Sequence, residues 1–366
     1  MPLRIGIIGL PNVGKSTLFN VLTQAQQAAV ANYPFCTIEP NQALVPVPDP
    51  RLEKLARLVG VDQAIRTTIE FVDIAGLVKG ASQGEGLGNQ FLSQIRNTDA
   101  LLHVVRCFRD PNVVHVSPQP EPREDIEVVE LELVLADHDQ VLKKIDKLSR
   151  QVKGDKGLAP ALEMAQQLAS HLEGGRPLSS FPERESPAFQ ALDQELRLLS
   201  AKPVIYAANI GEEFLSAPHP DLAAIEEIAA RQGAEWVAIS AKLEAELNTL
   251  DPGERADYLA LAGIEASGLD LVIATCYRSL DLISFFTYNE REARAWTVPR
   301  GARAPQAAGA IHSDFQRGFI KAEVIPFEAF QELGSTAAAK EAGQLRVEGK
   351  DYAIQDGDVI YFKFNV

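Results

Sequence analysis

"GLPNVGKS", residues 9–16, fits the phosphate-binding pattern G-x-x-x-x-G-K-[ST] and decides the fold of everything around it. The apolar run "LRIGIIGL" before it reads as a strand, and "STLFNVLTQA" after it as a helix. In that context the backbone amides from Asn12 through Thr17, Val13 and Gly14 among them, turn inward around a β-phosphate, and the helix N-terminus adds favourable partial charge. Lys15 is placed for the β- and γ-phosphates, the Ser16 hydroxyl for Mg²⁺ and Thr17 for the α-phosphate. Four more strands follow: Thr67–Gly76, Ala100–Phe108, Lys202–Asn209 and Glu235–Ser240. Near-continuous apolar strands alternating with helices predict an α/β fold around a mostly parallel sheet, with ligands beyond the strands' carboxyl ends.

Composition sets broad limits. The chain has 366 residues, 46% hydrophobic and 23% charged, enough for two or three soluble domains. No run approaches the ~20 apolar residues of a membrane span, so no membrane role is expected. The apolar part of "MPLRIGIIGL" is too short for a signal peptide, and no small-residue cleavage site follows it. The three cysteines, Cys36, Cys107 and Cys276, lack metal-type spacing and fit buried thiols in a reducing cytoplasm. The net charge of −15 is concentrated in residues 121–280, where 29 acidic side chains face 15 basic ones. A phosphate backbone would be repelled there, so any nucleic-acid contact needs basic residues elsewhere.

The rest of the predicted site follows the sheet edge. "DIAG", Asp73–Gly76, matches a D-x-x-G element, in which Asp73 holds a magnesium-bound water and the Gly76 amide senses the γ-phosphate. Thr37, in "NYPFCTIEPN", offers a second hydroxyl to Mg²⁺, or is simply a loop threonine. Where many switch nucleotidases carry a water-orienting Gln, this chain has Leu77. Two histidines could stand in. His103 lies inside an apolar strand, as a packed core histidine would, and His115 lies in "DPNVVHVS", just beyond that strand. The base-reading element is "NIGE", Asn209 to Glu212, in place of Asn-Lys-x-Asp. Glu212 changes the reach of the carboxylate that pairs with guanine N1–H and N2–H₂, and Ile210 replaces the lysine whose stem covers the base. Asn209 and the backbone of Ile210 can serve adenine instead. "ISAK" supplies Ser240, Ala241 and Lys242 as the last loop near the base.

Between the third and fourth strands, apolar stripes over 128–152 and 158–172, parted by "KGDKG", predict an antiparallel helical hairpin. Helices lying flat on the main domain would show similar stripes. The last ~85 residues, from about Asp281, mix short strands ("RAWTVP", "FIKAEVI", "DYAI", "DVIYFKF") with glycine-rich turns, a small mixed module. Arg291, Arg294, Arg300, Arg303, Arg317 and Lys321 there form either an RNA-facing patch or a solvated face.

With "GLPNVGKSTLFN", "DIAGLVKGASQGEGLGNQFL", "HVVRCF", N-x-x-E and "RAWTVPRGARAPQAAGAIHSDFQRGFIKAEVI" together, the chain resembles the YchF-type, Obg-related ATPases of the P-loop switch superfamily along essentially its whole length. The resemblance implies three parts: an Obg-type G domain (1–120 and 201–280), a helical coiled-coil insertion (121–200) and a C-terminal TGS domain of ubiquitin-like β-grasp fold (281–366). It implies a cytoplasmic, monomeric, Mg²⁺-dependent ATPase that prefers ATP to GTP, hydrolyses it slowly through a loop histidine, here His115, and binds the ribosome, at its large subunit or as a whole. Gly211, inside N-x-x-E, departs from the pattern and loosens the base-covering loop. The competing readings are a GTP-specific Obg-like GTPase and a non-hydrolysing nucleotide-gated scaffold.

Overall fold

The structure, a computed structural model, describes residues 3–30, 41–74, 87–111, 113–114, 121–214, 219, 221–264 and 266–365. In chain order the elements begin with β1 (Arg4–Ile8), α1 (Lys15–Val30), β2 (Gln42–Pro46), α2 (Pro50–Val59), β3 (Gln63–Ile65), β4 (Thr68–Asp73), α3 (Leu87–Arg96) and β5 (Ala100–Cys107). Next come α4 (Pro122–Gln151), α5 (Ala159–Glu173), α6 (Pro187–Leu196), β6 (Val204–Ile210), α7 (Leu222–Gln232), β7 (Glu235–Ile239), α8 (Ala241–Leu247), α9 (Pro252–Leu261) and α10 (Gly268–Ser279). The last are β8 (Leu282–Tyr288), β9 (Glu292–Pro299), α11 (Ala304–Ile311), α12 (Ser313–Arg317), β10 (Phe319–Pro326), α13 (Phe327–Leu333), α14 (Thr336–Glu341), β11 (Arg346–Glu348) and β12 (Asp358–Phe364).

Two compact units divide these residues: one within Met1–Ala28, Thr37–Leu44 and Glu70–Cys276, the other within Ala29–Cys36, Val45–Ile69 and Tyr277–Val366. The first is built on a sheet of order β2-β4-β1-β5-β6-β7, with β4, β1, β5, β6 and β7 parallel. All five strands expected from the sequence are present. β5 is buried along its full length, which fits a central strand covered on both faces. Because the strands run the same way, the segments leaving β1, β4, β5, β6 and β7 emerge at one edge.

The helical insertion pairs α4 with α5 and α6, and only the start of α4 packs on the sheet. Near its start, α4 places Ile126 among Val105, Cys107, Tyr206 and Ile225 of the sheet and α7. Farther along, it turns Val134, Val141 and Leu148 onto Ala165, Leu168 and Leu172 of α5 and Phe189 and Leu192 of α6. Within the stripe over 128–152, Val134 and Val141 face inward, while Leu131, expected to face inward with them, is exposed, as are Leu135 and Leu142. Asp137 locks α4 to the approach of β6. Its carboxylate is fully buried and accepts from the amides of Leu199 (2.9 Å) and Ser200 (2.8 Å), the Ser200 hydroxyl (2.8 Å) and the Arg96 guanidinium (3.4 Å).

The second unit differs from the boundaries expected from the sequence, because residues 45–69, assigned above to the nucleotide domain, pack within it. Its sheet has the order β11-β10-β12-β8-β9-β3. β8 and β12 lie side by side and parallel, β8–β9 is an antiparallel hairpin, and β10 pairs antiparallel with β12. Ile283 and Phe285 of β8 bury against Ala304, Ala307 and Ala308 of α11. First and last strands parallel at the centre, with a helix across one face, are the β-grasp arrangement expected. The opposite face of the same strand carries Phe286, which packs with Leu52 and Leu55 of α2 and with Phe327 and Phe330 of α13. β3 extends the sheet by pairing with β9. Two sequence expectations are corrected here. β8 was hidden in the apolar run after α10, where Asp281 makes the break by adopting a left-handed φ of 51°. "DYAI" is no strand and contributes only the isolated bridge Arg303–Ala353.

Replacing Asp137 by Ala would leave the buried Leu199 and Ser200 amides without their acceptor, while Arg96 keeps the Leu196 and Arg197 carbonyls. The expected cost is about 2–4 kcal/mol of unfolding free energy, read as a lowered urea midpoint. A loss below about 1 kcal/mol would mean that water replaces the carboxylate.

Candidate functional site

The phosphate loop owes its path to two glycines. Gly9 has φ +144°, and a Cβ there would lie 2.5 Å from the Val104 carbonyl oxygen of β5. Gly14 has φ +103°, and a Cβ there would collide with the Asn209 side-chain amide. Asn12 between them also adopts a left-handed φ, of 60°. A chain turned this way presents successive amides inward, as an anion requires. α1 begins at Lys15, so the loop delivers its ligand to a helix N-terminus.

Lys15 is only 7% exposed, and its ammonium donates to the Leu10 carbonyl at 2.6 Å. Burial draws its pKa down to about 8, against the opposing pull of Asp73. The Asp73 carboxyl is in turn raised by its burial, with Lys15 acting the other way. Ser16 and Thr17 follow with exposed side chains, free to meet a ligand on the loop's outer side. Among the described residues no three His, Cys, Asp or Glu side chains gather into a metal cluster. Of the residues expected from the sequence to hold Mg²⁺, Ser16 and Asp73 are described. Thr37, Gly76, Leu77 and His115 lie outside the described residues.

Asn209 joins the two ends of the site. Its Nδ2 donates to the Val13 carbonyl at 2.8 Å, and its Oδ1 accepts from the Ala241 amide at 3.1 Å. An Asn amide offers two N–H groups and two lone pairs on oxygen, and these bonds use one of each. Ser240 caps α8 by accepting from the Leu243 amide, Ala241 is buried and Lys242 is exposed. Ile210 points away from the site. Its side chain is 2% exposed and packs with Cys107, Tyr206 and Ile225, so only its backbone is left for a base. Glu212 follows in the short turn after β6, and its Oε1 accepts from the Tyr258 hydroxyl at 2.8 Å.

The segment after β5 is folded around Arg106, a residue passed over by the sequence reading. Its guanidinium donates to the carbonyls of Phe108 (3.2 Å), Asp110 (3.2 Å) and Val113 (3.1 Å), and lies over the Phe108 ring. The signal was an arginine inside an otherwise apolar strand, "HVVRCF". The Asn12 side chain then donates to the Val114 carbonyl at 3.0 Å, tying this segment to the phosphate loop. His103 is a core residue, 3% exposed beside the Tyr206 ring; burial and nearby Lys15 hold its pKa at about 3, hence neutral. In the second unit, Arg294, Arg300, Arg303, Arg317 and Lys321 each lie beside a carboxylate, which favours the solvated mixed-charge face over a basic patch.

A glycine-turned phosphate loop between strand and helix, an Asp ending the neighbouring strand, and an Asn bridging to the last loop define a P-loop nucleotide-binding protein of the switch type. Comparison with known proteins narrows this. A family model described as "50S ribosome-binding GTPase" matches residues 4–147, and the YchF-GTPase_C model, described as "Protein of unknown function (DUF933)", matches residues 282–365. The chain is 49% identical to "Ribosome-binding ATPase YchF" of Bacillus subtilis and 48% identical to that of Escherichia coli O157:H7, over 100% of both chains in each case. The solved structure of the Schizosaccharomyces pombe YchF GTPase is similar at 33% identity and a TM-score of 0.86, over 99% of this chain and 97% of that one. The chain belongs to the YchF family.

Lys15 supplies a pH test of the cradle. Bound phosphates favour the ammonium, so the complex holds its proton more tightly than the free chain, whose Lys15 has a pKa of about 8. Triphosphate affinity should therefore be flat below that value and fall as pH rises through it, by about tenfold between pH 7 and pH 9. Calorimetry at the two pH values should show this loss, and equal affinities would remove Lys15 from the phosphates.

Proposed function

We propose that this chain is a switch ATPase that binds ATP with Mg²⁺, hydrolyses it slowly and associates with the ribosome. The observation that carries the reading is the double anchorage of Asn209 on Val13 and Ala241. It sets the remaining N–H and lone pair of one rigid amide beside the phosphate loop. Adenine presents an amino donor next to a ring-nitrogen acceptor, which an Asn amide can meet in a bidentate pair. Guanine needs a carboxylate in that role, and Glu212 is engaged by Tyr258. The names of the B. subtilis and E. coli relatives, ribosome-binding ATPases, support the same activity and partner.

Mg²⁺ would be held by Ser16, by Thr37 and, through water, by Asp73, and would neutralise charge on the β- and γ-phosphates. Lys15, desolvated before the ligand arrives, acts as a second charge there at no further cost of dehydration. The Asn12–Thr17 amides orient the phosphate chain, with Gly76 sensing its end. Ser240, Ala241 and Lys242 border the base. With Leu77 in place of a water-orienting Gln, hydrolysis falls to His115. His115 follows Val114, whose carbonyl is bonded to Asn12, and this supports its reach to the γ-phosphate. The β-grasp unit serves as a TGS-type binding surface. Since Arg294, Arg300, Arg303 and Arg317 are paired with carboxylates, ribosome contact there rests on shape and hydrogen bonds more than on net positive charge. A ribosome-bound monomer of this kind works in the cytoplasm, at the large subunit or the whole particle.

A GTP-specific reading is favoured by the word GTPase in the matched family model and in the S. pombe structure's description. Titrating the free chain with labelled ATP and GTP separates the two. ATP should bind more tightly, and GTP binding tenfold tighter, about 1.4 kcal/mol, defeats the ATPase reading. His115→Ala should keep ATP affinity within about twofold and lower turnover tenfold or more, in the range of a lost general-base or water-orienting group. Unchanged phosphate release by that variant, with ribosomes present, assigns the chemistry elsewhere.

A further inference from the structure

Glu212 stands where a guanine-reading carboxylate would stand, yet its one described partner is a phenol on a helix beyond the motif. That helix, α9, is held firmly. Asp251 accepts from the Gly253 and Glu254 amides at 2.8 and 2.9 Å, and the Glu254 carboxylate accepts from the Asp251 amide at 3.3 Å. Arg255 donates to Asn248 Oδ1 at 3.1 Å, and Asn248 donates to the Val21 carbonyl of α1 at 3.2 Å. α1 is the helix that starts at Lys15, so Tyr258, one turn past Arg255, is fixed to the frame that carries the phosphates. Glu212, by contrast, sits in a three-residue turn after β6, beside Gly211.

We infer that Tyr258 is a specificity-positioning residue, holding the Glu212 carboxylate so that it cannot offer both oxygens to guanine. Guanine recognition takes two parallel N–H···O bonds, from N1–H and N2–H₂, with both carboxylate oxygens coplanar with the base. The Tyr258 hydroxyl takes one lone pair of Oε1 and holds the group toward α9, away from the geometry that this pair of bonds requires. Adenine makes no demand on a carboxylate, so its binding is left untouched. Bonding to Glu212 also raises the phenol above its ordinary pKa. This inference rests on the adenine reading above and assigns the discrimination against guanine to a residue outside "NIGE".

The test uses the full chain, with Mg²⁺, and labelled ATP and GTP. Tyr258→Phe removes the hydroxyl and keeps the ring. It should tighten GTP binding by about two- to fivefold, the size of one exposed charge-assisted contact, with ATP affinity and the kcat for ATP unchanged. In a Glu212→Ala background the same substitution should change neither affinity, because the hydroxyl acts through Glu212. An unaltered GTP affinity in Tyr258→Phe overturns the inference, and so does an equal gain in the Glu212→Ala background. A wild-type chain that prefers GTP defeats the adenine reading instead, and the Tyr258 pair of measurements still decides this one.

Discussion

The site depends on one buried amide. Asn209, next to last in β6, holds the phosphate loop through Val13 and the last loop through Ala241. Both partners are backbone groups, so the constraint is set by the path of the chain rather than by neighbouring side-chain identity. Gly14 has no side chain because the Asn209 amide occupies the space where a Cβ would stand. A buried amide deprived of either partner would carry an unmet polar group. Loop, strand end and base pocket therefore hold their geometry together, before any nucleotide arrives.

A second set of bonds extends that order to the segment after β5. Arg106 gathers three carbonyls and Asn12 a fourth, leading to the residue next to His115. Charged groups so placed do not add a site of their own; they convert an irregular segment into one with a defined exit. Asp137 does the same for the helical insertion, taking the amides at the entry to β6. In each case a polar side chain on a regular element supplies the hydrogen bonds that an irregular stretch cannot supply for itself.

How far the sequence revealed this follows from the range of each interaction. The phosphate loop was legible because its residues act on a ligand from eight consecutive positions, bounded by a strand and a helix. The five parallel strands were legible from their apolar runs. The inward turn of Ile210 was not, since the motif compares it with a lysine while the core decides its direction. Tyr258 meets Glu212 across a gap in sequence that no local pattern spans, whereas Arg106 bonds carbonyls only a few residues on, in an irregular stretch that carries no periodic signal. β8 was masked by an apolar helix running into an apolar strand, with only Asp281 between them as punctuation. Residues 45–69 were misplaced for the simplest reason: neighbours in sequence were taken as neighbours in space.

That last segment has a consequence for how the chain is made. α2 buries Leu52 and Leu55 against Phe286, Phe327 and Phe330, none of which exists when α2 leaves the ribosome. Roughly 200 residues separate the two parts of the unit, and at 5–20 residues per second synthesis takes about 10–40 s to bridge them. For that interval an amphipathic helix waits with its apolar side uncovered, a natural target for a holding chaperone. The β-grasp unit is thus a late-closing structure whose first piece is delivered early.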